Sequence, residues 1–503
     1  MNVLFIISDQ HRADHMGCAG NPDIKTPNLD ALANDSVRFT SAFCANPMCM
    51  PNRASILTGL YPNAHGVRCN GINLSTKIPT IADSLRNSGY TTASIGKIHL
   101  QFYAPPYKIK THSHECIHFW INKKTEKSMR ENFPKPYYGF DHVELTLGHG
   151  DLITGHYTDW LEERAPQFIN DIRMRFNNFF DNPFYETQLP EEVYNTTYVE
   201  ERMIKFLERH ANGEYGDNPF FMHLSFPDPH HPVCPPGKYK DMYKPEEITL
   251  PPSFNHKDKL HKHPFLRPLV KNQALRMALL RDSTEEEVRT FLAGTYGMIS
   301  MFDHSIGNIL ASLEKLGLTD NTMVIYTSDH GDFCGDHGMI LKGPSPFNGI
   351  LNVPMIWKVP GMTNPAVTDA LMSSIDIPMT ILKLLGIRER HFPPGMQGYD
   401  MTPVLKDPNT DVRDCCLIEE DEEFGSPKRP FEIRLRHLVT KEYKLTRYQR
   451  LENYGDIFDR KEDPNELNNL WHENKELRCN LVQKLCHENM KAQSRFPRKV
   501  SLT

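Results

Sequence analysis

Two apolar runs in this chain end in the same way. "VLFIISD" closes on Asp9 and "NTMVIYTSD" closes on Asp329, and β-branched and aliphatic residues fill both. A short, unbroken apolar run without polar alternation is a strand buried on both faces, which requires cover on each side of a mostly parallel sheet. "TTASIG" before Lys97 and "NPFFMHLSF" before Pro227 repeat the pattern. Helices alternate with these strands. "TPNLDALAND" opens at Thr26-Pro27, "RASILTGLYP" reads as a helix from about Arg53 to Leu60, and "PTIADSLRNSG" closes at Gly89. "NTTYVEERMIKFLERH" is amphipathic, and a long helix runs from a capping box at Ser283–Glu286 to Gly317. The alternation predicts an α/β fold: a large, mostly parallel sheet sandwiched by helices.

Residues 102–190 break the rhythm. They are rich in Pro, His and aromatics (Phe102, Tyr103, Tyr107, Phe119, Trp120, Tyr137, Tyr138) and read as an insertion folded over something else. Its aromatics suit stacking on an aryl group or a sugar face, or a small core of the insertion's own. Pro393-Pro394-Gly395 and the residues to Leu405 mark an edge, so 1–405 is read as the large domain. Residues 406–503 are read as a smaller α+β domain with an antiparallel sheet of shorter strands ("RHLVTKEYKLTRY") and a final helix near Lys475–Asn489. The tail Lys491–Lys499 carries four basic residues and no acid; it is expected to be mobile or to pack on another subunit of a homo-oligomer.

Composition removes several classes of function. Net charge is −6 with acids and bases interspersed, so the electrostatic footprint of a nucleic-acid partner is missing. No segment approaches the roughly 20 apolar residues of a membrane span. Val3–Ile7 is too short for a signal-peptide core and lacks a basic flank. The 11 cysteines are odd in number, without zinc-type spacing, and Cys415 and Cys416 are adjacent. A disulfide framework is not expected, and a reducing cytoplasm fits.

Chemistry collects where strands end. Residues at the carboxyl edge of a parallel sheet share one crevice, so Asp9-Gln10 and Asp329-His330 can converge from opposite ends of the chain. Together they suit a hard or borderline divalent cation, although either Asp alone could simply cap a helix or turn. In "NPMCMPNRAS", Cys49 lies just ahead of a helix, four residues before the permanent cation Arg53. Such a thiol is partly ionised, and serves as nucleophile, metal ligand, packing residue or precursor of another group. "GKIHL" adds Lys97 and His99 on one side of an extended segment, "FPDPHHPVCPP" holds His230 and His231 in a proline-stiffened loop, and "ILKGPSP" adds Lys342. Each has an ordinary structural explanation. Combined, they suit a tetrahedral oxyanion held between a metal and several cations.

On these residues the sequence resembles the type I sulfatases of the alkaline-phosphatase-like superfamily. "CMPNRASILTG" matches the signature C-x-P-x-R followed by a helix ending T-G; "GKIHL", "PDPHHP" and "SDHGDFCGDHGMILKGP" resemble further family segments. "DIFDRKEDPNELNNL" resembles a short segment of the family's small C-terminal domain. The resemblance implies a catalytic domain over 1–405 and conversion of Cys49 to formylglycine by a formylglycine-generating enzyme that reads Pro51 and Arg53. It implies a metal site of Asp9, Gln10, Asp329, His330 and modified residue 49, with Arg53 holding the hydrated aldehyde. Lys97 would bind the ester oxygens, His99 would contact the second hydroxyl, and His230 (as imidazolium) with Lys342 would face the leaving-group oxygen. The implied reaction is hydrolysis of an aryl or sugar sulfate. Many sulfatases carry Asp-Asp and Asp-Asn where this chain has Asp9-Gln10 and Asp329-His330. Calcium is the expected metal, with manganese or magnesium as alternatives. These pairs also occur in phosphonate monoester hydrolases and phosphodiesterases, the alternative activity. A non-catalytic binding protein with an inert Cys49, a phosphate monoester transferase and a zinc-thiolate enzyme are the further readings.

Overall fold

The computed structural model describes residues 1–104, 112–122, 124–175, 183–271, 281–362, 365–426 and 429–494. Tyr107 and the tail beyond 494, with its expected subunit contact, lie outside them. The chain folds as an α/β sandwich around a mostly parallel sheet, with a C-terminal antiparallel sheet.

A nine-stranded sheet forms the centre. Its strands are β1 (Asn2–Ser8), β2 (Val37–Phe39), β3 (Thr91–Gly96), β4 (His142–His149), β5 (Leu152–Gly155), β6 (Phe220–Ser225), β7 (Thr322–Ser328), β8 (Met355–Lys358) and β9 (Ala366–Thr368), in the order β9-β2-β8-β7-β1-β6-β3-β4-β5. The five strands from β7 to β4 run parallel, and β8 and β5 pair antiparallel to their neighbours. In β1, Val3, Phe5 and Ile7 enter one hydrophobic core while Leu4 and Ile6 enter the other, so the unbroken apolar run serves both faces. Helix α1 (Pro27–Asn34) buries Leu29, Leu32 and Ala33, as its spacing requires. On the same side lie α4 (Asn195–Ala211) and the long α5 (Glu285–Lys315), while α2 (Cys49–Thr58) and α3 (Ile81–Arg86) serve the other face.

Several expectations are revised. Helix α2 begins at Cys49 itself, because Met48 is still extended (φ −117, ψ 146) and Gly59 (φ 69) ends the helix. The capping box of α5 is Thr284 with Glu287, one residue later than Ser283–Glu286; the buried Ser283 instead gives its N–H to the Gly338 carbonyl. Residues 102–190 do more than cover: β4 and β5 extend the main sheet, and elements of four to nine residues are too short to show a period. Their aromatics Trp120, Phe133, Tyr137 and Tyr138 pack into the main core, with Phe133 and Tyr137 ring centroids 4.8 Å apart.

The C-terminal sheet, β10 (Cys416–Ser426), β11 (Arg429–Val439), β12 (Tyr443–Tyr448) and β13 (Gly455–Asp459), is an antiparallel meander. Its first two strands are 11 residues long rather than short. "EEDEEF" does not read as a strand; pairing with β11 and the Arg436–Asp421 ion pair at 2.6 Å stabilise it. Cys416, Ile418, Leu435 and Phe458 join the main core, so the boundary near 405 is bridged by packing. The last helix, α6 (Lys475–Lys491), follows the expectation closely.

Candidate active site

Register brings the strand ends together. Ser8 pairs with Ser328, Ile7 with Ser225, and Gly96 with Ser225, so the next residues, Asp9, Asp329 and Lys97, emerge side by side. The ladder continues one step further: Asp329 N–H donates to the Ser8 carbonyl at 3.2 Å and Lys97 N–H to the Ser225 carbonyl at 3.1 Å. Gly96 (φ 101) is required there, since a Cβ would collide with the Ser225 carbonyl.

Cys49 Sγ is 3.1 Å from His330 Nε2, 3.0 Å from Lys342 Nζ and 3.7 Å from Asp9 Oδ1. Asp9, Cys49, Asp329 and His330 offer ligand atoms within 4.8 Å of one another, all buried. Gln10 adjoins the group, its backbone N–H donating to Asp329 Oδ1 at 3.1 Å. Its Nε2 donates to Asp332 Oδ2 at 2.5 Å, while its buried Oε1 has no hydrogen-bond partner among the described residues. An amide whose nitrogen is tied down presents its oxygen as a ligand. Carboxylate, amide-oxygen and imidazole donors at this spacing fit one divalent cation.

Cations surround this group. Arg53 Nε donates to Asp329 Oδ2 at 2.7 Å, and its Nη1 to the Lys97 carbonyl at 2.8 Å and Ser225 Oγ at 2.9 Å. Lys97 Nζ is ion-paired to Asp9 and lies 2.7 Å from His149 Nε2. Burial alone would raise the Asp9 pKa, yet Lys97, Arg53 and His149 hold it well below the usual carboxylate range. Burial and Asp9 push the Cys49 thiol up, and Lys342, Lys97 and His330 overcome them, leaving it below its ordinary value. Burial would lower the Lys342 pKa; Cys49, Asp9 and Asp329 raise it, so its ammonium is stable.

The histidines divide. His330 is raised against its burial by Asp329. His230 lies 3.2 Å from Lys342 Nζ, and burial, His231 and Lys342 hold it well below the ordinary imidazole value. Burial thus favours the neutral ring over the expected imidazolium, and Lys342 beside it is the better holder of a proton. His99 (φ 56) is held neutral by burial, Lys97 and Arg53. Its ring stacks on Tyr103 at 3.8 Å and its Nδ1 is buried without a partner among the described residues.

The structure thus gathers Asp9, Gln10, Cys49, Arg53, Lys97, His99, His230, Asp329, His330 and Lys342 in one place. Sequence reading missed four supports. His149 ends β4 and stacks on His230 at 3.6 Å; an apolar run closing on "GHG" is the same strand-end signal as Asp9. Asp332 orients Gln10. Asn52, inside α2, donates to the Asp329 carbonyl at 2.5 Å and accepts from Ala45 N–H at 2.9 Å. Glu115 accepts from the His99, Leu100 and Gln101 N–H groups at 2.7, 3.0 and 3.1 Å, fixing the turn that carries His99.

Comparison with known proteins gives a consistent result. The family model described as Sulfatase matches residues 1–387, and that of the N-sulphoglucosamine sulphohydrolase C-terminal region matches 335–494. An arylsulfatase of Clostridium perfringens is 31% identical over 484 residues, covering 93% of this chain and 90% of its own. An ulvan-active sulfatase of Formosa agariphila is 29% identical, covering 93% and 76%. A phosphonate monoester hydrolase of Agrobacterium radiobacter superimposes with a TM-score of 0.78 at 24% identity, covering 100% and 98%, a likeness of fold.

Proposed function

The chain belongs to the sulfatase family of sulfuric ester hydrolases, and from that premise we propose that it cleaves aryl or sugar sulfates with a nucleophile carried by residue 49. One observation carries this reading: Cys49 Sγ belongs to the Asp9–Asp329–His330 donor group and lies 3.0 Å from the Lys342 ammonium, which itself meets His330 Nε2 at 2.9 Å. A nucleophile there meets the ester where its charge is offset from both sides.

Cys49 is read as the precursor of formylglycine, made by a formylglycine-generating enzyme; hydrated, that aldehyde would supply an attacking hydroxyl and a second hydroxyl whose deprotonation releases sulfate. A divalent cation held by Asp9, Gln10, Asp329 and His330 would lower the pKa of a hydroxyl at residue 49 and offset the ester's charge. Calcium is preferred because most donors are hard oxygens, with manganese and magnesium next.

The chain's own groups then have separate tasks. Arg53, locked by Asp329, Lys97 and Ser225, fixes residue 49 and places permanent charge beneath it. Lys97 and Lys342 replace water as partners for the ester oxygens, without reorganising during reaction. Neutral His99 is able to take a proton from residue 49. Lys342 holds the proton that the departing alcohol needs, and His230 beside it keeps that proton directed at the leaving oxygen. The 11 free thiols support a reducing, cytoplasmic setting.

The test is the mass of the peptide containing residue 49, together with metal content and turnover of an aryl sulfate. Formylglycine and one bound divalent ion per active chain are expected; full activity with an ordinary thiol overturns the reading. The Asp9-Gln10 and Asp329-His330 pairs favour one second reading, phosphonate monoester or phosphodiester hydrolysis. Relative kcat/KM on an aryl sulfate and an aryl phosphonate decides between them.

A further inference from the structure

Of the two histidines in the proline loop, His230 meets Lys342 and His231 meets Gln10. With His149 they form a column of three imidazoles. His149 and His230 have ring centroids 3.6 Å apart, and His230 and His231 4.2 Å, with planes 14° and 22° from parallel. The first two are buried and His231 is half-buried, so the column runs from the floor of the site to its rim. Each ring turns one nitrogen to a different member of the site: His149 Nε2 to Lys97 Nζ at 2.7 Å, His230 Nε2 to Lys342 Nζ at 3.2 Å, and His231 Nδ1 to Gln10 Nε2 at 3.3 Å.

These partners fix where the protons lie. An amide nitrogen only donates, and the Asp332 carboxylate at 2.5 Å identifies which end of the Gln10 amide is the nitrogen. His231 Nδ1 is therefore an acceptor, and its ring carries the proton on Nε2. Both hydrogens of the Gln10 amide are thus engaged, one by Asp332 and one by His231. A single bond would leave the amide free to pivot about it; the second acceptor removes that freedom. Oε1, buried without a partner among the described residues, is left with one orientation. We propose that His231 is a positioning residue of the cation site, holding the Gln10 amide through Nδ1 so that Oε1 serves as a ligand. This deepens the sulfatase reading and rests on its cation. The same pair of acceptors accounts for an amide at residue 10: a carboxylate there would set like charge against Asp332 and offer His231 Nδ1 no hydrogen.

The experiment titrates Mn2+ into the full chain and its variants, with the free ion read by electron paramagnetic resonance. His231→Phe keeps a stacking ring and loses the acceptor; it is expected to bind Mn2+ about tenfold or more weakly, the range of an outer partner of a ligand. His231→Asn, whose side-chain oxygen stands near the place of Nδ1, should recover most of that loss. In a Gln10→Ala background His231→Phe should change the affinity by a factor of about one, because the group it acts through is gone. His231→Ala repeats the cycle without a ring. Wild-type affinity in both His231→Phe and His231→Ala, or the same fold loss with and without Gln10, overturns the proposal and leaves the cation reading standing. Failure of the wild-type chain to bind Mn2+ overturns the cation reading, and this proposal with it.

Discussion

The rings of His149 and His230 lie face to face, with centroids 3.6 Å apart and planes 14° from parallel. They come from opposite sides of the cleft, the end of β4 and the proline loop after β6. His149 Nε2 also meets Lys97 Nζ at 2.7 Å, so one imidazole positions both a cation and the neighbouring ring. His149→Phe keeps the stacking face and removes the nitrogen. Its kcat/KM on an aryl sulfate should fall about tenfold, one hydrogen bond's worth, and His149→Ala should fall further. Equal activities for the two variants would remove the stack from the account.

The thiol at residue 49 offers a direct reading of the site's field. In protein produced without conversion, Lys342 lies 3.0 Å from Cys49 Sγ and helps to hold the thiol below its ordinary value. Lys342→Met should raise that pKa. The measurement is the thiolate absorbance titration, taken as a difference against a Cys49→Ser background in each case. Coincident difference curves with and without Lys342 would show that the ammonium does not set the thiol's charge.

Among the described residues, Asp332 meets the proposed cation site through Gln10, whose Nε2 it holds at 2.5 Å. Asp332→Ala frees the amide to rotate, and outer partners of this type are worth about 10–100-fold in metal affinity. Competition with a chelator should show that loss, with Gln10→Ala at least as weak. Unchanged affinity in both variants would place the cation away from Gln10.

Acid should unfold the protein in a definite window. Burial holds His65 and His223 at about 3 and His156 at about 4, below the ordinary 6.5, so the folded state binds fewer protons than the unfolded one in between. The stability these three imidazoles contribute is therefore greatest above pH 6.5 and is lost as pH falls toward 3, by on the order of 3–5 kcal/mol per imidazole at the limit. Against it stand buried carboxyls such as Asp228 and Glu115, held at about 7, whose contribution runs the other way. Urea midpoints between pH 7 and pH 4 should fall, and His223→Gln should flatten the slope; a steeper slope in that variant would contradict the assignment.

Most of this site was legible in the sequence because its groups follow regular elements. Asp9, Lys97 and Asp329 sit one residue beyond apolar runs, and parallel register does the rest. His149 follows the same rule but lay in a stretch whose short elements hide their period. Glu115 and Asp332 were invisible for another reason: each acts through tertiary approach from a loop. β10 was missed as a strand because its "EEDEEF" pattern depends on β11 and arginines supplied by tertiary pairing, against its own propensity. The charge preference of His230 depends on burial and on the neighbouring Lys342, which spacing cannot convey.

Helix α2 is buried along its whole length, from Cys49 to Thr58. A catalyst that must grip Cys49, Pro51 and Arg53 at once has no surface to hold on the finished molecule. On the reading proposed above, conversion of the cysteine belongs to the interval before the sheet collapses around it, and a copy that folds with its sulfur intact stays sealed in that state when the converting enzyme is supplied afterwards.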